Sequence, residues 1–468
     1  MDGVADSFPA MISLFAALAL AAAQPAVPDA ARALCEAAAG SLAAPLSEPA
    51  GIRYAAFWGH FLRDPAPYPF KPETTVAAAR ANCADPGSRS SDWMFLQGVL
   101  QSSGRAAEAL RLAEERVRVE PSDGAWSALA VARLRQGDEA GALAAWRSQR
   151  QAGESDPRAV AEITSQLIYQ MNGAPDRKPS LAYAQANVRR WRSIVEAGDG
   201  LGDRDSFELL SALKIEGDLL ELSGDARSAA DRFGEAASLS EARLAQAPDD
   251  FSRRDRKAGL MRLYVARSHA QAAAGDRDGV IDTSRKAAVL VDGERFLSPN
   301  ATVLDQIANG LWSGDVSIAP VAEAFGGFGR DLLKVGAPRE AVGFLRVSDA
   351  LWKAHAKADG RASDGASEVL LARALRLSGD APAALATIDR GLALAEKAGI
   401  EGNNWFWTGA GLERGEALLA MGLASQACAA FRRARPAVIH SMPEPHIAEI
   451  LATLDARLAG PPCAPPVT

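Results

Sequence analysis

Cysteine is scarce in this chain. Only four occur in 468 residues, and no two stand as Cys-x-x-Cys. That excludes a redox or zinc site built on such a pair. Histidine is scarce too: His60, His269, His355, His440 and His446 are scattered, and none forms His-Glu-x-x-His. Neither a Gly-x-Ser-x-Gly nucleophile turn nor a phosphate-cradling Gly-rich loop ending in Gly-Lys-Ser/Thr is present. Aromatic residues make up 6%, and β-branched residues do not alternate at period two, which argues against a sheet. An excess of positive charge is also lacking. The net charge of −7 opposes sequence-independent nucleic-acid binding, which needs clustered Lys and Arg. Two short basic runs, Arg189–Arg192 and Arg253–Lys257, read as solvated helix faces.

What the chain has is Ala and Leu. Apolar residues reach 48%, and these two types dominate them. Ala loses no side-chain entropy in a helix and Leu loses little, so a mostly helical fold is expected. The N-terminus carries a short apolar run, Met11 to Ala23, closed by Ala21-Ala22-Ala23. Such a run is too short for a membrane span of about 20 residues and fits a secretory signal with a small-residue cleavage site. The ten residues before it contain two Asp and no Lys or Arg, which departs from that pattern. An Ala-rich helix in a cytoplasmic protein is the alternative. Export would place the cysteines in an oxidising compartment, where an even number suggests disulfides. Of the three possible pairings, Cys35–Cys83 and Cys428–Cys463 would each staple one end of the chain. The alternative is four free buried thiols.

A phrase recurs along the chain: an amphipathic helix, a turn Gly, Ala five residues later, and a second helix. The steps Gly104 to Gly137, Ala109 to Ala142 and Trp93 to Trp126 are each 33 residues. The phrase returns at Gly224 (with Gly217, Ala229 and Phe233) and at Gly336 (with Phe325, Phe328, Gly329 and Ala341). Gly379 (with Ala372 and Ala384) and Gly422 (with Gly415, Ala427 and Phe431) carry it again. Gly275 carries a weaker copy, with Val280 in place of Ala. This pattern resembles the tetratricopeptide repeat (TPR), a pair of antiparallel helices in about 34 residues. Gln97 departs from it, because the family places a small residue there. The resemblance implies an all-α fold, an α-solenoid of TPR-like helix pairs winding into a right-handed superhelix, in which stacked neighbours bury each other's apolar faces.

The organisation expected from this reading has six parts. Residues 1–23 are the signal peptide and 24–89 an N-terminal helical cap. Residues 90–157 hold repeats, and 158–205 a degenerate helix pair, with helices near 158–171 and 180–197, followed by a loop over 197–206. Residues 206–443 hold further repeats with an insertion near 293–316. Residues 444–468 form a C-terminal capping helix and a Pro-rich tail.

Three local patterns resemble chemical motifs. Ser211 and Lys214 form Ser-x-x-Lys, but the companion motifs of penicillin-recognising enzymes are missing. Gly409, Gly411 and Gly415 lack a preceding strand, and Gly415 is explained by helix packing. Asp199, Asp203, Asp205 and Glu208 fail the spacing of a calcium loop. No cofactor, metal or catalytic residue is implied. In the family, the first helix of each pair lines a ligand groove. Here those positions hold Lys214, Asp218, Arg262, His269, Arg330, Arg373 and Arg376, a mostly basic run. The expected function is therefore a non-catalytic scaffold for a protein or an extended peptide, an acidic one included, in the periplasm or outside the cell. Neither a nucleic-acid partner nor a membrane span after signal removal is expected. The alternatives are a periplasmic enzyme or ligand sensor using the N-terminal region or the insertion, and a cytoplasmic scaffold.

Overall fold

The computed structural model describes residues 97, 100–101, 104–119, 121–149, 156–171, 178–197, 203–291, 318–358, 365–400, 405–435 and 444–463. Residues 1–23, the body of the 24–89 cap, the 293–316 insertion, Cys35 and Cys83 lie outside the described residues. No strand occurs among those described. The helices run in order as α1 (Ala106–Val119), α2 (Asp123–Arg135), α3 (Glu139–Gln149), α4 (Asp156–Met171), α5 (Lys178–Ala197) and α6 (Asp203–Leu222). Then follow α7 (Ala226–Ala245), α8 (Asp250–Ala273), α9 (Arg277–Leu290), α10 (Ile318–Lys334) and α11 (Pro338–Ala358). The last five are α12 (Ala366–Leu377), α13 (Ala381–Lys397), α14 (Trp405–Ala420), α15 (Ala424–Ala434) and α16 (Glu444–Ala459). The chain divides between Ala212 and Leu213, inside α6, into two compact units.

One turn device makes the pairs. Gly137, Gly224, Gly275 and Gly379 all have positive φ, between 74° and 98°. Only a residue without Cβ takes this conformation freely, and it brings the next two N–H groups back onto the helix's last carbonyls. Thus Gly137 N–H donates to Leu134 O and Asp138 N–H to Arg133 O, each at 3.0 Å. An Asp follows each of these four glycines and caps the second helix. Asp138 accepts from Gly141 N–H, Asp225 from Ser228, Asp276 from Gly279 and Asp380 from Ala383, at 2.8–3.1 Å. Each carboxylate serves one of the donors orphaned at a helix start.

The helix crossings use small residues. The Ala five residues after each turn Gly is buried: Ala109, Ala142, Ala229, Ala341 and Ala427 are 0% exposed and Ala384 is 1%. Val280, which takes this place in the weaker copy, is also 0% exposed. On the first helices, Gly217, Gly329 and Gly415 let the partner side chain sit where a Cβ would be. A methyl at Gly217 would lie 2.7 Å from the Phe233 ring, and methyls at Gly329 and Gly415 would strike Leu345 and Phe431. Each contact spans 16 residues, so it is local to one pair. Gln97, the departure noted above, is buried and donates from Nε2 to Ala128 O at 2.6 Å. A polar side chain is tolerated there because the next repeat supplies an acceptor.

In the first unit, α2 packs on α1 and α3, and α4 packs on α2, α3 and α5. Trp146, Leu129, Ile163 and Leu167 form the centre of its core. The degenerate pair is α4 and α5. The loop expected over 197–206 is shorter than that, because α6 already starts at Asp203, with Asp203 and Asp205 in its first turn where the helix dipole favours negative charge. Asp205 is buried there against Arg158, with both oxygens 2.8 Å from Nη2. In the second unit each pair packs on the next, and α16 closes the C-terminal end against α14 and α15. Cys428 on α15 is bonded to Cys463 beyond α16, with Cα atoms 5.3 Å apart.

Candidate interaction face

The first helices of the second unit are α6, α8, α10, α12 and α14. Direct contacts run from α8 to α10, α10 to α12 and α12 to α14, so these four first helices are neighbours in turn. The basic positions read from the sequence lie on four of the first helices, α6, α8, α10 and α12, and they differ in their partners.

Lys214 Nζ lies 2.6 Å from Asp218 on the same helix, an exposed one-turn pair. Arg376 donates from Nε and Nη2 to Glu413 Oε2 at 3.1 and 2.8 Å, and Arg373 Nε lies 3.7 Å from the other Glu413 oxygen. Glu413 is buried on α14. Its carboxyl is pushed up by that burial, with Arg376 pulling the other way. His269 stands between two carboxylates. Its Nδ1 lies 3.2 Å from Asp331 Oδ1 on α10, and its Nε2 lies 3.6 Å from Glu221 Oε1 on α6. The Asp331 hydrogen bond raises the imidazole pKa, against the effect of partial burial. Burial likewise raises Glu221. Glu221, Asp331 and Glu413 were not among the residues read from the sequence. Asp331 and Glu413 are acidic positions inside otherwise apolar helix stripes, which is the one signal that could have found them.

Arg262 and Arg330 differ from the rest. Both are exposed, and neither has an ion-pair or hydrogen-bond partner among the described residues. Arg262 shares a stripe of α8 with Val265, Ala266 and His269, spaced at helical intervals. Arg330 sits one turn beyond Gly326 and Gly327 on α10. A methyl at Gly327 would lie 3.7 Å from Val265 and 4.0 Å from the Arg330 guanidinium. Gly327 is buried under Val265 of α8, and Gly326 faces Ser348 of α11, so these glycines let neighbouring helices pack closely beside Arg330. Glu323 also lies on the α10 stripe and is exposed.

The other patterns resolve as structure. Ser211 donates to Phe207 O at 2.9 Å while Lys214 faces Asp218, so the Ser-x-x-Lys pair is not engaged. Gly411 meets Ala434 as Gly415 meets Phe431. His355 stacks near Trp352, with ring centroids 5.8 Å apart. His60 and His440 lie outside the described residues, as does Asp199. No helix among the described residues is long and apolar enough to cross a membrane.

The turns, the buried crossing alanines and the 16-residue Gly-to-aromatic contacts together decide the fold. The described chain is a TPR-like array of helix pairs. No family model matches the sequence, and no curated protein does. Among solved structures, the TPR domain of P58(IPK) is 13% identical, covering 87% of this chain and 98% of its own, with a TM-score of 0.21. The yeast Tom70 is 12% identical over 87% of this chain and 95% of its own, with a TM-score of 0.22. The Naa15/Naa10 complex bound to HypK-THB gives 13%, 85%, 70% and 0.17. Overlaps this loose carry no argument about function. The fold stands on the chain's own turns and crossings.

Proposed function

We propose that this TPR-like array is a non-catalytic scaffold whose first-helix face in the second unit holds an extended, acidic segment of another protein. The observation that carries the reading is the charge balance of that face. Lys214, His269, Arg373 and Arg376 already have carboxylate partners, whereas Arg262 and Arg330 have none among the described residues. An unpaired guanidinium presents a planar fork of donors that matches a carboxylate bidentately. Val265 and Ala266, both half-buried, lie on the Arg262 stripe of α8, so apolar side chains of the segment find a floor beside the forks. The ligand would run across helices, contacting one or two side chains per repeat.

We further propose that the protein works after export. The Met11–Ala23 run has the length and closing residues of a signal, and a Cys428–Cys463 bridge is stable in an oxidising compartment. N-terminal sequencing of the mature protein tests this: a chain that retains Met11 would refute export through this segment.

Fluorescence anisotropy tests the face. A labelled peptide of alternating Glu and Leu should bind the full chain, and its Gln and Leu counterpart should bind at least tenfold more weakly. Charge reversal, Arg262→Glu with Arg330→Glu, should abolish binding, and the loss should grow less marked at high salt. Binding that survives the reversal would refute this assignment of the face.

A further inference from the structure

We propose that His269 is a pH-responsive brace of this face: protonated, it ties the last turns of α6 and α10 to α8, and on losing its proton it releases α6. The regulatory consequence rests on the face being the binding surface; the brace itself does not.

The geometry sets the asymmetry. The two ring nitrogens point at two carboxylates on two different helices. An imidazolium carries two N–H groups: Nδ1–H donates to Asp331, and the charge also attracts Glu221, 3.6 Å from Nε2, as an ion pair. A neutral imidazole carries one, and the other nitrogen becomes an acceptor. The two carboxylates do not compete equally for the remaining N–H. Asp331 is 6% exposed, and its other oxygen already accepts from Ser268 Oγ at 2.8 Å, with Ser268 fully buried. Glu221 is 29% exposed and can turn towards water. Leaving the buried carboxylate unpaired costs more than leaving the accessible one unpaired. The proton therefore stays on Nδ1, facing Asp331. Nε2 then presents a lone pair to the Glu221 carboxylate, and the α6–α8 link lapses while α8–α10 persists.

The charged groups facing His269 are known from both sides. Glu221, with Asp218 behind it, faces from α6. Asp331 and Lys334 face from α10. The carboxylates raise the imidazole pKa and Lys334 opposes them, with a net upward shift. The sign follows. Protonation is tighter in the folded chain than in the unfolded one, so the stabilisation is complete below the ordinary histidine value and disappears as pH rises through the higher folded value. The same step removes a positive charge from the stripe that carries Arg262. Both effects weaken the hold on an acidic segment as pH rises.

The test uses the full chain with histidines isotope-labelled at Cε1, followed by NMR between about pH 5 and 9. His269, assigned from the signal lost in His269→Gln, should titrate above the free-histidine value and move down in Glu221→Gln. In parallel, amide exchange is read as the ratio of wild type to His269→Gln, which cancels the intrinsic pH dependence. The amides of Ser223, Gly224 and Asp225, which donate to carbonyls of the last turn of α6, should be about two- to fivefold better protected in wild type below the midpoint. Above it the ratio should fall to one. The Val335 and Gly336 amides at the end of α10 should not follow the titration. A ratio of one at every pH, or a midpoint at or below that of free histidine, overturns the brace.

The Glu and Leu peptide separates the two claims. If it binds both chains and only wild type shows weakening as pH rises, the regulation is supported. If His269→Gln shows the same weakening, the regulation is overturned. If the peptide binds at no pH while the exchange ratio still tracks the titration, the brace stands and the peptide reading falls.

Discussion

Replacing both Cys428 and Cys463 with alanine removes the disulfide that ties α15 to the chain beyond α16. The loop closed by the bridge is 35 residues long. Chain-entropy arguments then put its contribution at about 4 kcal/mol, as an upper figure, because the open chain gains that much freedom. Alanine is the right replacement, since both cysteines are buried beside Leu418, Phe431 and Leu454, where serine hydroxyls would find no partner. What remains to hold α16 is the burial of Leu454, with Ile450 and Leu458 packed partly against it. The Arg435–Asp455 pair is exposed and contributes little, and Arg457 reaches Glu416 from an exposed position. The effect should be local, because each pair in a repeat array contacts only its neighbours. Amide exchange in α16 should accelerate on the order of 10²- to 10³-fold, since every 1.4 kcal/mol is a factor of ten. Amides of α8 and α10 should stay within twofold of wild type, roughly the scatter of distant, uncoupled sites. Reduction of the wild-type chain should reproduce the same pattern. Unchanged α16 protection would refute the staple, and equal loss at α8 and α10 would refute the quasi-independence of the pairs.

Gly415→Ala adds a methyl against Phe431 and should lower stability by about 1–2 kcal/mol in a urea titration, since the gain in helix propensity offsets only part of the overpacking; an unchanged or raised midpoint would mean the crossing has slack. Asp276→Ala removes the cap on Gly279 N–H and should destabilise the α8–α9 pair by about 1 kcal/mol, seen as faster exchange in the first turn of α9. Arg376→Met leaves the buried Glu413 carboxylate without its main partner. The raised pKa of Glu413 should rise further, so the variant should lose most stability at neutral pH and recover on acidification through that value. Thermal melts that show a deficit independent of pH would contradict this assignment.

The helix pairs were legible because their causes act within short stretches of chain. A turn Gly, the Ala five residues later and a contact 16 residues across the crossing all lie inside one repeat, so their spacing survives in the sequence. The capping Asp after Gly137, Gly224, Gly275 and Gly379 was equally local, though it is the structure that makes its role plain. The start of α6 at Asp203 was missed because a Gly- and Asp-rich stretch serves as readily for a capped helix start as for a loop. The candidate face divides in the same way. Its cationic positions follow from repeat register and could be named from the sequence. Their partners could not. Glu221 meets His269 across 48 residues, His269 meets Asp331 across 62, and Arg376 meets Glu413 across 37. The step between turn glycines varies from 33 to 61 residues and reaches 87 across the degenerate pair, from Gly137 to Gly224, so no fixed offset announces these pairs. The sequence by itself determined the repeat register, and with it which cationic residues sit on the first helices. Only the packing of one pair on the next decided which of its charges are satisfied, because that depends on how far each first helix slides along its neighbour.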